Sequence, residues 1–222
     1  MRGILIMKRL SLAMAIVALL FTSINSQAGS ANPVDQVLNN MQSAGQKIKT
    51  FSANISQVKR NIDIGGSESA SGSIVFQRAG EKAIIKLNNG NEVLIVGNQI
   101  ILYQARIPQA FHTTRTKQAT DKPEINFIST PFTSSSQLKA NFTINYLGDE
   151  GSTVVLELIP KNPALQKATL WVDKGSWLPV KFKVIAKDSE STFTISNLQT
   201  NIGVSGDTFK INYAPGTKHV NK

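Results

Sequence analysis

The chain has 222 residues, a formal net charge of +10 and no cysteine. Without thiols it has no disulfides, no thiolate metal sites and no thiol nucleophile, so its fold rests on its core alone. Lys and Arg are spread along the chain in runs no longer than two, which argues against a nucleic-acid binder; the excess charge reads as a solvated basic surface.

The first element is a leader. Arg2, Lys8 and Arg9 precede an uncharged, apolar stretch from Leu10 to Phe21, and Ser26-Gln27-Ala28 ends the segment with small residues at the positions a signal peptidase reads. The stretch falls short of the about 20 residues a bilayer span needs. Residues 1–28 are therefore expected to be a cleaved signal peptide, with an uncleaved anchor as the alternative. Residues 29–222 are expected to form one exported, periplasmic domain, whose charge drops from +10 to +7 when the three leader cations go.

A helix follows. Asn32 is a good N-cap and Pro33 fits the first helical position. Val34, Val37, Leu38, Met41, Ala44 and Ile48 make one apolar stripe. After Thr50 the period changes to two, with Phe51, Ala53 and Ile55 alternating with serines and Asn54. Strands are expected over 74–78, 82–87, 92–96 and 99–103, with hairpin signals at Asn88-Asn89-Gly90-Asn91 and Gly97-Asn98. Residues 104–138 break the rhythm, with one short strand expected near 111–114 and short helical turns after it. A connection this long is usually functional. Strands resume over 141–147, 153–159, 167–173, 178–186, 191–198 and 208–213.

Alternation in several strands implies one wet face and one apolar face, as antiparallel sheets show. About ten strands and one helix of about 24 Å cannot make a flat covered sheet. The sheet must curl into a barrel or half-barrel around the helix, an architecture that often encloses an apolar cavity. The alternative is a packed interior. Arg78 shares parity with Ile74 and Phe76, so it either points inward and needs partners or reaches water where the strand ends.

Catalytic constellations are missing. His112 and His219 stand far apart in sequence without ligand-like neighbours, so no metal site or His-based triad is expected. Asp149 and Glu150 share a turn, and Ser134 to Ser136 lack a nucleophile-elbow context. The expectation is a binding protein, not an enzyme, with no cofactor.

Several segments together resemble the LolA-like periplasmic carriers of outer-membrane lipoproteins. These are Phe51-Ser52-Ala53-Asn54-Ile55-Ser56-Gln57, Gly72-Ser73-Ile74-Val75-Phe76-Gln77-Arg78, the hairpin from Glu92 to Tyr103, Leu156 to Lys161, Ala168 to Asp173 followed by Leu178-Pro179, and Phe209 to Val220. They occur in the family's order along nearly the whole mature chain. The chain departs from the family in having Ala79 where a proline usually follows the arginine, no proline after Tyr103, and tryptophan only at 171 and 177.

The resemblance implies a mainly β fold: an unclosed, half antiparallel β-barrel with an N-terminal helix and a helical lid over an apolar cavity. It implies a monomeric carrier of acylated lipoproteins or lipids. The cargo would come from an inner-membrane ABC-type lipoprotein-releasing complex and pass to an outer-membrane acceptor. It assigns Arg78 to closing the lid through bonds to lid backbone, and residues 124–138 to the lid. Cargo would contact Val37, Leu38, Met41, Ile74, Phe76, Phe127, Ile128, Phe132, Leu138, Phe142, Ile144 and Phe182. Two other functions stay open: a lipid-sensing regulator on the same fold, which usually carries a further C-terminal domain, and a packed β-domain with a structural or adhesive role.

Overall fold

The computed structural model describes residues 32–114, 135–161 and 167–221, apart from the side chain of Gln137. Helix α1 spans Pro33–Gln46, and the Asn32 side chain accepts a hydrogen bond from the Val34 N–H at 3.1 Å, as the cap signal predicts. The apolar stripe is buried at Val34, Val37, Leu38 and Met41. Ile48 lies beyond the helix but is also buried.

Strands follow as β1 (Thr50–Asn61), β2 (Ser67–Gln77), β3 (Lys82–Leu87), β4 (Glu92–Val96), β5 (Gln99–Gln104) and β6 (Gln109–Thr114). A short helix α2 covers Ser135–Asn141. Then come β7 (Phe142–Glu150), β8 (Thr153–Pro160), β9 (Lys167–Asp173), β10 (Pro179–Ile185), β11 (Ser189–Thr200) and β12 (Lys218–Asn221). They make one sheet in the order β12-β6-β5-β4-β3-β2-β1-β11-β10-β9-β8-β7. The sheet is unclosed, with β12 and β7 at its two edges. The long strands β1 and β11 pair antiparallel at its centre, with a bulge between Ser52 and Asn54. Further register shifts lie between Pro179 and Lys181 and between Tyr146 and Gly148. Bulges raise local twist, and a wide sheet curls through them.

Gly72 is needed at one crowded point. It faces Ile55 on β1 and Leu87 on β3, and a Cβ there would stand 1.9 Å from the Lys86 carbonyl oxygen. No side chain fits without moving β3.

Three sequence expectations need correction. No strand forms over 208–213. That segment begins in a 3₁₀ turn at Gly206–Phe209, and the last strand is β12, which pairs parallel to β6. The ladder is therefore antiparallel except at this edge. The alternation of Phe209 and Ile211 reports burial, since both are buried, but not strand pairing.

The second correction concerns the wet face. It holds for β1, β10 and β11 but fails for the β3–β5 region. Ile85, Ile74 and Val93 join the inner cluster with α1, while Ile84, Leu94, Val75 and Ile101 pack on the opposite face under Phe209, Ile211 and Tyr213. These strands are covered on both sides, and they read as unbroken apolar runs for that reason.

The third is the extent of the sheet. Among the described residues twelve strands form rather than about ten, and β2 begins seven residues earlier than expected, within a Ser-rich stretch paired to β1.

Candidate functional site

Nine of the twelve residues expected to meet cargo come together in one place. Val37, Leu38, Met41, Ile74, Leu138 and Phe182 are buried members of a single cluster on the inner face, and Phe76, Phe142 and Ile144 are half-buried against it. Phe127, Ile128 and Phe132 lie outside the described residues. Rings organise the cluster: Phe182 stacks on Phe193 with centroids 4.5 Å apart, and Phe51 on Phe76 at 5.2 Å. Offset stacks of this kind add to plain burial.

The inner face is not an open cavity among these residues. The apolar side of α1 occupies it, leaving Leu38 and Phe182 only 1 % exposed. An open groove of about 590 Å³ exists elsewhere, over β1–β3 and β11. Seven of its ten lining residues are polar, among them Asn54, Ser56, Ser71, Ser73 and Lys86. Its lining does not suit an acyl chain, so the inner cluster is the candidate site.

The contacts that join α1 to α2 at its edge are polar and peripheral. Lys139 on α2 pairs with Asp35 in the first turn of α1 at 2.6 Å, and both side chains are about half exposed. The Ser135 hydroxyl donates to Gln42 Oε1 at 2.7 Å, and the Ser135 N–H donates to the same oxygen at 3.2 Å. Leu138 enters the core between these contacts, at 3 % exposure. Lys161 donates to the Lys139 carbonyl at 2.7 Å, a cation on the last-turn carbonyls of α2. The expected lid region thus ends in a helix docked on α1.

The other end of α1 is fixed to the sheet. Arg78 follows the last residue of β2. Its Nε donates to the Ile48 carbonyl at 2.8 Å and its Nη2 to the Gly45 carbonyl at 2.6 Å. A guanidinium on these carbonyls also suits the negative end of the helix dipole. Arg78 is exposed as a residue, so it reaches water and bonds backbone at once. Its side-chain partners among the described residues belong to the α1–β1 junction, and residues 124–134 of the expected lid lie outside the described residues.

Asn201 completes this junction, and sequence reasoning missed it. Its Oδ1 accepts from the Lys49 N–H at 2.8 Å, its Nδ2 donates to the Lys47 carbonyl at 3.2 Å, and it has a positive φ of 56°. The one signal was an Asn directly after a strand, a residue type that tolerates the left-handed region. Gln42, Ser135, Asp35 and Lys139 gave no signal, because ordinary surface residues look alike until two helices meet.

Among the described residues no helix is long and apolar enough to cross a membrane, and no group of three or more metal-ligating side chains occurs.

The model of the family described as "Outer membrane lipoprotein carrier protein LolA" matches residues 46–212. A comparison with curated protein sequences gives no match. Among solved structures, an uncharacterised conserved protein from Thermus thermophilus is similar at a TM-score of 0.55 and 8 % identity, covering 86 % of this chain and 100 % of that one. MucB is similar at a TM-score of 0.50 and 16 % identity, covering 85 % of this chain and 65 % of that one. A LolA superfamily protein from Nitrosomonas europaea matches at a TM-score of 0.43 and 12 % identity, over 81 % of this chain and 98 % of that one. At these identities the first two of these structures speak for the fold alone. The family match spans most of the chain, from the end of α1 to the segment that covers the outer face: the chain belongs to the LolA family of outer membrane lipoprotein carrier proteins.

Proposed function

We propose that the protein is a periplasmic carrier that takes acyl chains of lipoproteins or related lipids onto the inner face of its sheet, in place of α1 and α2. Residues 1–28 would direct export and be removed in the course of it. The observation that carries the reading is the convergence of nine apolar residues, five on the inner face of the sheet and four on its α1–α2 cover, with the two cover helices joined to each other by exposed polar contacts at their edge.

Magnitudes make the exchange feasible. Undocking α1 exposes Val34, Val37, Leu38 and Met41, at about 1.5–3 kcal/mol each. A saturated chain of about fourteen methylenes returns about 0.8 kcal/mol per CH₂. One acyl chain therefore roughly balances the loss of α1, and two or three exceed it. Multiply acylated cargo opens the protein, while a single chain binds weakly. The cover's polar fastenings add little, since an exposed ion pair contributes about 0–1 kcal/mol. The junction held by Arg78 and Asn201 stays as the pivot. Cargo would arrive from an inner-membrane ABC-type complex and leave to an outer-membrane acceptor, with the protein as a monomer between them.

The test uses the absence of native cysteine. Asp35→Cys with Lys139→Cys gives two thiols at the α1–α2 contact, which a short bis-maleimide can join. Loading is followed by native mass spectrometry and by titration with a triacylated peptide. The open double variant should load and the crosslinked form should not. Equal loading of both forms would show that these helices are not the gate. Failure of the unmodified mature chain to bind any acylated peptide would remove the carrier reading altogether.

A further inference from the structure

The two ends of the sheet differ in what their turns expose. Antiparallel succession puts the β1–β2, β3–β4, β5–β6 and β10–β11 turns at one end, and the β2–β3, β4–β5, β7–β8 and β9–β10 turns at the other. At the first end Ile62 and Ile64, in the β1–β2 turn, are 52 % and 84 % exposed, and Ile107, in the β5–β6 turn, is 70 % exposed. Val58, exposed on β1, lies just before the same β1–β2 turn. The four turns at the other end expose no large apolar side chain. Turn tips are normally polar, and scattered exposed aliphatics mean little. Three isoleucines on tips at one end are not scattered.

The β1–β2 tip is built, not frayed. The Asn61 Oδ1 accepts from the Asp63 N–H at 3.0 Å and from the Ile64 N–H at 3.1 Å. The Ile62 N–H donates to the Asp188 carbonyl at 2.8 Å, which ties this turn to the β10–β11 turn. Gly65 and Gly66 take positive φ values of 70° and 89° and return the chain to β2. The backbone is satisfied while both isoleucine side chains stand in water.

Cations surround the tips. Lys59 and Arg60 lead into the first turn, Lys187 sits in the turn tied to it, and Arg106 precedes Ile107. All four are exposed, and none has an ion-pair partner among the described residues. Asp63, Glu68 and Asp188 share these turns, so the local excess is small, but the chain as a whole carries +10, or +7 without the three leader cations. At the other end Asp149, Glu150 and Asp173 stand at the β7–β8 and β9–β10 turns.

We propose that the β1–β2 and β5–β6 tips dock the protein on an anionic lipid surface, with Ile62, Ile64 and Ile107 entering the interface. Apolar side chains enter the headgroup–acyl boundary while neighbouring lysines and arginines stay at the phosphates, and anionic lipid strengthens the contact. A bilayer is favoured over a protein partner because the isoleucines sit on separate tips with no groove between them to seat a side chain. A fluid surface takes such points without matching pockets. The net positive charge favours the anionic leaflet and the acidic turns disfavour approach by the other end. Docking would also turn the α2 end of the inner cover toward the bilayer, since α2 runs into β7 at this end. The inference goes beyond the carrier reading and does not require it.

The probe is empty, tag-free mature protein floated with vesicles of phosphatidylethanolamine containing one quarter phosphatidylglycerol, and with vesicles of phosphatidylcholine alone. The parent should float with the first and bind the second several-fold more weakly. Ile62→Ser/Ile64→Ser should lower partitioning about tenfold, and Ile107→Ser about threefold. Because the chain has no cysteine, Asp63→Cys and Ser152→Cys each take one environment-sensitive dye. Vesicles should shift the emission of the dye at 63 to the blue and leave that at 152 unchanged. Loading with a triacylated peptide, measured without vesicles, should be the same in Ile62→Ser/Ile64→Ser as in the parent, so loss of vesicle binding and loss of the carrier activity are told apart. A parent that floats with neither vesicle would overturn the proposal and leave the tips to a protein partner. Partitioning unchanged in both isoleucine variants, or equal dye shifts at 63 and 152, would overturn it too, by showing adsorption through general charge.

Discussion

The sheet carries two covers, one on each face, and they are built differently. The inner cover is α1 with α2. It meets the sheet through aliphatic side chains and is held sideways by Asp35–Lys139 and Gln42–Ser135, at the surface. The outer cover is the segment after β11, which lays Phe209, Ile211 and Tyr213 over β2–β6. It is tied by main chain: the Ala214 N–H donates to the Tyr103 hydroxyl at 3.1 Å, and four residues of β12 pair with β6. A burial-driven contact is non-directional and exchanges readily for another apolar surface, whereas a strand ladder has no such substitute. On the carrier reading proposed above, similar apolar content thus gives one cover that lipid would replace and one that it would not.

The sharpest way to break this contrast is to cut one aromatic from each side. Phe182→Ala removes a ring that is 1 % exposed and stacked on Phe193, and should cost about 3–5 kcal/mol. Phe209→Ala, at 7 % exposure in a smaller cluster, should cost about 3 kcal/mol. Urea unfolding measures both. The informative readout is loading with a triacylated peptide: it should change in Phe182→Ala and be kept in folded Phe209→Ala. Loss of loading in both variants to the same degree would erase the functional distinction between the faces.

Gly72→Ala comes next, at about 1–3 kcal/mol or more, because backbone and not a flexible side chain stands in the way of the new Cβ. Gly72 lies where β2 carries an inner row toward β3, so strain there should disturb β3 and both clusters. Amide exchange is expected to speed up on β3 in particular. Unchanged exchange along β3 would show that the strands part more easily than the contact implies.

Most of this architecture was legible where burial is one-sided. In β10, Phe182 and Val184 alternate with lysines, and in α1 one stripe faces one surface, so a period in sequence became a face in space. Nine of the residues that the resemblance assigns to cargo lie in or against one inner cluster. The outer cover was not legible, for a physical reason. Ala83 to Ile85 and Val93 to Val96 are apolar runs without a period, and such runs say that both faces are covered without saying by what. Phe209, Ile211 and Tyr213 do alternate, but an extended segment lying on a sheet face buries every second residue just as a strand does. His112 and His219, whose ring nitrogens lie 2.9 Å apart across β6 and β12, meet only because of that misread segment, and so their contact stayed hidden as well.

Arg78→Leu tests the pivot, with a smaller effect. The two bonds come from a charged donor, but the freed carbonyls of Gly45 and Ile48 can turn to water, so about 1 kcal/mol is expected. Amide exchange should rise near residues 45–49, and acyl loading should become faster while the outer cluster is untouched. Identical loading rates in variant and parent would reduce Arg78 to a helix cap.

The smallest effect is expected at β7, where the inner cover gives out. Tyr146 continues the inner row of Phe142 and Ile144 yet is 40 % exposed, and its hydroxyl donates to Asp149 Oδ1 at 2.6 Å. That bond first, and Lys174 second, hold the Asp149 carboxyl below its ordinary 3.8. A carboxyl with a depressed folded value contributes its stability above the unfolded value, and loses it as pH falls through the folded one. Tyr146→Phe should raise the Asp149 value toward 3.8 in a carbon-13 NMR titration, with Lys174 keeping it partly depressed. Because both partners stand in water, the melting temperature at neutral pH should hardly move. A clear drop instead would mean that Tyr146 is part of the inner packing and that the lipid-replaceable face reaches the β7 edge.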